Sequence, residues 1–140
     1  MYHLPPHERE LVLAECTRVC KDGGIVAFAY INKIGVYAGG CIVDSNYPNQ
    51  QANKFVLEHG TDDIRPDIFF FTTPEEMNIA ISKYGLSKIK NLGTDFFITM
   101  NIVNKMTDEE FDIMRPLYDH MTSFESCTGM SNHALLICRK

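Results

Sequence analysis

Glu15-Cys-Thr-Arg18-Val19-Cys20-Lys21-Asp22-Gly23-Gly24, followed at once by Ile25-Val-Ala-Phe-Ala-Tyr-Ile31, is the stretch that decides how this chain is read. Its first part continues an amphipathic helix. The two glycines stop that helix, since Gly23 or Gly24 supplies the left-handed residue of a helix C-cap. The second part is apolar on both faces, with no polar alternation. That pattern suits a central parallel strand rather than a half-exposed antiparallel one. Helix, turn and buried strand in this order predict an αβ unit of a parallel sheet.

The neighbouring segments extend this reading. Upstream, Pro5-Pro6 suits a helix entry, because proline is tolerated in the first turn. Glu8 and Glu10 lie near the positive end of the helix dipole, Arg18 and Lys21 near the negative end. Leu11, Val12, Cys16, Val19 and Cys20 form the expected buried stripe. Downstream, Thr73-Pro74-Glu75-Glu76 opens a second helix with a capping box, and Gly85 closes it. Met77, Ala80, Ile81 and Tyr84 mark its inner face. Leu86 to Ile98 reads as a strand bulged at Gly93. Thr107-Asp-Glu-Glu110 caps a further helix, with Phe111, Met114, Leu117, Tyr118 and Met121 on its apolar face. Ala134 to Cys138 is the last strand. Residues 32–67 are the least regular part and read as an inserted, partly helical substrate or lid segment. Residues 1–140 are expected to form a single domain.

Bulk composition excludes several classes. Thirteen basic residues against eighteen acidic ones give a net charge of −5, with no Lys/Arg cluster. Neither a nucleic-acid surface nor a polybasic membrane anchor is expected. The longest apolar run, Ile25 to Ile31, is far too short to cross a bilayer. Pro5-Pro6-His7-Glu8 interrupts any signal-peptide core. The five cysteines are odd in number and follow no disulfide spacing, so free thiols in a reducing cytoplasm are expected. Cys16 and Cys20 share a helix face, but no second CxxC or His pair completes a metal site. They read as small apolar residues of the core stripe.

Isolated motifs are weak. Gly35-x-x-x-Gly39-Gly40 lacks phosphate-loop spacing and reads as loop or packing glycine. Glu75 and Glu76 are adjacent, so they point apart on a helix, and capping accounts for them. Pro5-Pro6 separates His3 from His7, which makes them poor partners for one metal. His133 precedes an apolar strand and, taken alone, reads as a hydrogen-bonded structural histidine. Phe69-Phe70-Phe71 and Phe96-Phe97 read as core.

Several of these pieces together carry a resemblance. Arg18-Val19-Cys20-Lys21-Asp22-Gly23-Gly24 is similar to an "R-V-L-K-P-G-G" signature, with Cys for Leu and Asp for Pro. Tyr2-His3-Leu4 resembles a "G-P-x-Y-H-L" segment. Phe71-Thr-Thr-Pro74-Glu75-Glu76 with Gly85-Leu86, and Ser131-Asn-His133-Ala-Leu-Leu-Ile-Cys-Arg139-Lys140, resemble later stretches of the same family. The family is the class I S-adenosylmethionine-dependent methyltransferases, in a small-molecule branch, and the likeness is to their C-terminal half. It implies an α/β fold with a partial Rossmann-like sheet: the fifth, sixth and seventh strands, the last one antiparallel, with flanking helices. It implies S-adenosylmethionine as cofactor of the complete protein, with the main cofactor site upstream of Met1, so that this chain alone is expected to be inactive or nearly so.

The resemblance also implies a site at the carboxyl ends of the strands. There His3 is the candidate catalytic residue, and Tyr2, Tyr30, Asn32 and His133 are candidate substrate-binding residues for a small-molecule substrate. A competing reading is a non-catalytic α/β interaction module. A strand stripped of its neighbour exposes an apolar edge, which favours a homodimer or swapped assembly through Ile25 to Ile31.

Overall fold

The computed structural model describes residues 1–61, 68–97 and 99–140. In chain order the elements are α1 (Pro6–Val19), β1 (Ile25–Ile31), α2 (Lys33–Val43), α3 (Gln51–His59), α4 (Pro74–Ser82), β2 (Ser87–Gly93), α5 (Met100–Val103), α6 (Asp108–Ser123) and β3 (His133–Arg139). Short 3-10 turns cover Tyr47–Asn49 and Glu125–Met130. The local signals act where the sequence puts them. Proline occupies the first turn of α1. The turn after it closes through Gly24 N–H donating to Lys21 O at 2.8 Å, and Gly23 takes φ 77° there. Capping boxes form at Thr73 with Glu76 and at Thr107 with Glu110. Each such cap is worth about 1 kcal/mol.

The sheet departs from expectation. It has three strands in the order β1-β3-β2, and both pairings are antiparallel. Ile25 lies opposite Arg139 and Ile31 opposite His133, while Ser87 also lies opposite Arg139 and Gly93 opposite Ala134. No parallel ladder is present among the described residues; the parallel contact is an isolated bridge between Asn32 and Thr72. The expected Rossmann-like methyltransferase sheet is therefore corrected to an open, antiparallel three-stranded sheet with flanking helices. The bulge of β2 falls between Lys88 and Lys90, not at Gly93. Ile98, the last residue of the expected strand, lies outside the described residues, as do residues 62–67 of the expected insertion.

The error in β1 has a physical cause. An uninterrupted apolar run implies cover on both faces, but from Ile25 to Tyr30 one face alone is covered. Phe28 and Tyr30 are buried with Ala134, Leu136 and Cys138 of β3, beneath Leu13 of α1, Met77 and Ile81 of α4, and Leu86. Ile25, Ala27 and Ala29 point to the other side and are exposed, Ile25 at 53%. Leu135 and Ile137 of β3, on that same side, are only half-buried, and Ile89 of β2 is 48% exposed. The run stayed apolar because this outer face is built of alanine and aliphatic residues, not because a second layer packs on it.

The face of α1 is likewise corrected. Leu13 is its buried residue, with Cys16 packed beside the core, whereas Leu11 and Val19 are 68% and 62% exposed. All five cysteines are free thiols. Among the described residues no helix is long and apolar enough to cross a membrane.

The irregular segment after β1 turns out to be two helices. Gly35, Gly39 and Gly40 lie inside α2 rather than in a loop. Asn32 caps α2, its Oδ1 accepting from Ile34 N–H at 3.2 Å. Gly35 marks where α2 touches the start of β3: a Cβ there would stand 2.0 Å from Ser131 O. The helix seats against this backbone only because Gly35 has no side chain. Gly35→Ala is expected to force α2 outward and cost about 1–3 kcal/mol, the usual range for overpacking. A lowered urea midpoint with unchanged slope would register it; an unchanged midpoint would show that α2 has room to shift.

Candidate functional site

Antiparallel pairing brings the end of β1 to the start of β3, so Ile31 and His133 are neighbours. Three other segments arrive at the same place. The N-terminal residues run beside residues 68–72, with Phe70 N–H donating to Tyr2 O at 2.8 Å. The turn after β2 lies against the start of β3, with Thr94 N–H donating to His133 O at 3.0 Å and Asn132 N–H to Asp95 O at 2.9 Å. The Tyr2 ring stands edge-on to His133, centroids 6.1 Å apart, and 4.7 Å from the His3 ring. His3 packs at 5.0 Å on Phe69 and its Nδ1 lies 2.9 Å from Ile68 O.

Of the sequence candidates, Tyr2, His3 and His133 are thus brought together. Tyr30 and Asn32 are not part of this cluster's exposed surface. Tyr30 is buried in the core, where its hydroxyl donates to Asn91 Oδ1 at 3.1 Å. Asn32 is fully buried and pins α2 to the turn before β3, its Nδ2 donating to Gly129 O at 2.9 Å and Thr128 O at 3.3 Å. Both are structural anchors of the site rather than groups that face a ligand.

Asp95 is the residue that sequence reasoning missed. Its Oδ1 accepts His133 N–H at 2.6 Å and its Oδ2 lies 2.7 Å from His133 Nδ1. Both carboxylate oxygens therefore engage one histidine, fixing its backbone and its ring. Ser131 holds the turn, its Oγ accepting from Thr94 N–H at 3.0 Å and Asp95 N–H at 3.1 Å. A carboxylate on Nδ1 places the proton of the neutral imidazole on that nitrogen and leaves the lone pair on Nε2. The pair is half exposed, 51% for the His133 side chain and 36% for Asp95, so Nε2 is within reach of a solute. No sequence spacing flagged this pair, since 38 residues separate its members and only the β2-β3 register joins them.

His133 also lines a cavity of about 420 Å³ between α2 and the ends of β1 and β3. Ile31, Val36, Ile42, Tyr47 and Phe97 make most of its wall, and Gly39 and Gly40 open its helix side. A space of this size falls in the range of small-molecule sites, and its make-up fits them too: apolar walls with a few polar residues, Asp44, Asn132 and His133.

No protein-family model and no curated protein matches this chain.

The antiparallel sheet contradicts the methyltransferase fold that the resemblance implies. The S-adenosylmethionine expectation is corrected too, because the described residues form an antiparallel sheet and not the parallel one whose strand ends would form that cofactor's crevice. Among the described residues no group of three or more His, Cys, Asp or Glu is arranged to hold a metal.

A second feature lies at the opposite side of β1. Lys140 N–H donates to Gly24 O and Asn32 N–H to Asn132 O, so even-numbered residues turn their backbone groups toward β3. Odd-numbered residues therefore turn theirs to the outer edge. Thr72 N–H takes Ile31 O at 3.0 Å. Among the described residues nothing hydrogen-bonds the outward groups of Ile25, Ala27 and Ala29. The edge carries no lysine, proline or bulge, the devices that natural edge strands use against pairing.

Burial of the anchoring core has a pH consequence. It lifts the Tyr30 hydroxyl to about 12, the Asn91 hydrogen bond opposing it, and lifts the Cys138 thiol to about 11. Both groups titrate near 10 and 9 when unfolded. The unfolded chain thus loses these protons first, and stability declines as pH rises from about 9 through 12. In Tyr30→Phe the decline between pH 10 and 12 should be shallower, by on the order of 2 kcal/mol. Urea midpoints across that range test this, and parallel curves for the two proteins would contradict it.

Proposed function

We propose that this chain is an α/β interaction module that pairs with a second copy of itself through the open edge of β1. The observation that carries the reading is the bare, uncharged edge itself. Ile25, Ala27 and Ala29 direct backbone groups outward without partners among the described residues. Unsatisfied backbone groups are the basis of strand addition, and the flanking side chains set who can pair. Antiparallel self-pairing centred on Phe28 places Ala27 opposite the other copy's Ala29, and Val26 opposite its Tyr30. No charge meets a like charge, and the small alanines let the two backbones approach. Such a contact is isologous, so it closes as a dimer rather than growing into a fibre.

The exposed side of the sheet supports the same reading. Ile25, Ala27 and Ala29 adjoin half-buried Leu135 and Ile137, so an added strand would extend an apolar surface already present. Exposed apolar patches of this kind mark interaction sites more often than inert surface. The free cysteines suit a reducing compartment such as the cytoplasm.

Sedimentation velocity of the full chain is expected to show a dimer. Ala27→Lys places a charge on the pairing strand at an exposed position, so it should give a monomer with an unchanged circular dichroism spectrum. A wild-type protein that stays monomeric at high concentration would overturn the reading. A dimer that survives Ala27→Lys would move the interface away from this edge.

A further inference from the structure

We propose that the cavity between α2 and the start of β3 binds a small, mainly apolar phenol, whose hydroxyl donates to Nε2 of His133. This inference is independent of the pairing edge and rests on two observations that meet at one residue.

The first is the orientation of the histidine. A lone surface histidine samples both tautomers, and neither ring nitrogen has a fixed role. Here Asp95 holds the main-chain N–H of His133 at 2.6 Å and its Nδ1 at 2.7 Å. The carboxylate lies on a turn that is itself fixed by Ser131. The ring is therefore set with Nδ1–H toward Asp95, and Nε2 is left as an acceptor. Among the described residues Nε2 has no hydrogen-bond partner. This costs stability in no obvious way, because the ring is half exposed. It does, however, fix an acceptor at a defined spot, which a purely structural bond to Nδ1 does not require.

The second is the cavity that His133 helps to line. The cavity is walled by Ile31, Val36, Ile42, Tyr47 and Phe97, with His133 among its lining residues. Tyr47 packs closely on the helix: a Cβ at Gly40 would stand 2.6 Å from its ring. The Tyr37 ring meets Tyr47 edge-on at 5.4 Å. An aromatic guest finds aromatic rings to pack against, and rings favour offset or edge contacts of this sort. A hydroxyl on the guest answers the acceptor that Asp95 orients; Asp44 and Asn132 are the other polar residues of the lining, and the Asp44 carboxylate is already engaged by Asn46 N–H and Gln50 Nε2. A purely aliphatic guest would leave Nε2 desolvated and unpaired, and a carboxylate guest would be placed next to Asp95. A phenol satisfies both constraints: it is apolar over most of its surface and donates one hydrogen bond.

The experiment uses 4-ethylphenol and ethylbenzene as a matched pair, titrated into the ¹⁵N-labelled full chain and followed by NMR. 4-Ethylphenol is expected to shift cavity residues saturably and to bind up to about tenfold more tightly than ethylbenzene, the reach of one net hydrogen bond. His133→Ala should erase that preference while leaving ethylbenzene binding in place. Gly39→Leu should fill the cavity and remove both, with the dyad intact. Long-range ¹H–¹⁵N spectra of the histidine ring give a readout that needs no ligand: Nδ1 should carry the proton. Equal affinities for the two probes, an unaltered preference in His133→Ala, or an Nε2–H tautomer would each overturn the proposal. Absence of any saturable shift in the cavity residues would overturn it as well.

Discussion

The whole fold depends on β3, the last strand, lying between β1 and β2. Neither outer strand pairs with the other, so both ladders exist only through His133–Arg139. The chain must close loops of about a hundred and about forty residues to form them, and such closure is costly before it is rewarded. The reward is concentrated. The β3 side chains Ala134, Leu136 and Cys138 complete the buried face, and the chain end fastens the first αβ turn. Gly23 N–H donates to Lys140 O at 2.8 Å, Lys140 N–H to Gly24 O at 3.0 Å, and Lys140 Nζ to Cys20 O at 2.9 Å. The glycine turn that ends α1 is thus held by one residue, Lys140, 116 to 120 positions away.

What was legible in the sequence was local. Proline at a helix start, Thr-x-x-Glu at two helix N-termini and a left-handed glycine after α1 each act through groups within a few residues, so spacing alone reveals them. What was not legible depended on partners far along the chain. The apolar run of β1 is the same string whether its outer face is covered or bare, and only the sheet order decides. The stripe on α1 failed for a related reason: Leu11 and Val19 are as apolar as Leu13, but the helix can turn only one of these faces to the core. Gly35, Gly39 and Gly40 look like a loop by propensity, since each costs about 1 kcal/mol in a helix. Tertiary contact outweighs that cost, because Gly35 is what lets α2 seat on Ser131.

The candidate site was legible in part. Tyr2, His3 and His133 were named from the sequence, and they meet. Asp95, which gives His133 its orientation, was not named, because nothing near Gly93 distinguishes it from any other turn aspartate. Tyr30 and Asn32 were named for their place at the end of a strand. Alternation along β1 sends Tyr30 to the core face, and Asn32 spends its side chain on capping α2 and on the carbonyls of Thr128 and Gly129. Tyr30 belongs to the core, and Asn32 to the joint between α2 and the turn before β3.

The two surfaces left by this arrangement are separated at Ile31. On one side of that residue, the outward backbone groups of β1 are available to a new strand. At Ile31 itself Thr72 takes the carbonyl, and Lys33 N–H donates back to Thr72 O at 2.8 Å. A strand added along the edge must therefore stop there, since the next position is already bridged. Beyond it, buried Asn32 turns the chain into α2, and the cavity opens on the far side of that turn. The residues that line the cavity do not include Ile25, Ala27 or Ala29, whose outward groups form the open edge. The proposed pairing and the proposed ligand site would use different chemistry, backbone in one case and an oriented side chain in the other. The rigid corner at Ile31 and Asn32 keeps them apart, so a dimer would carry two independent sites.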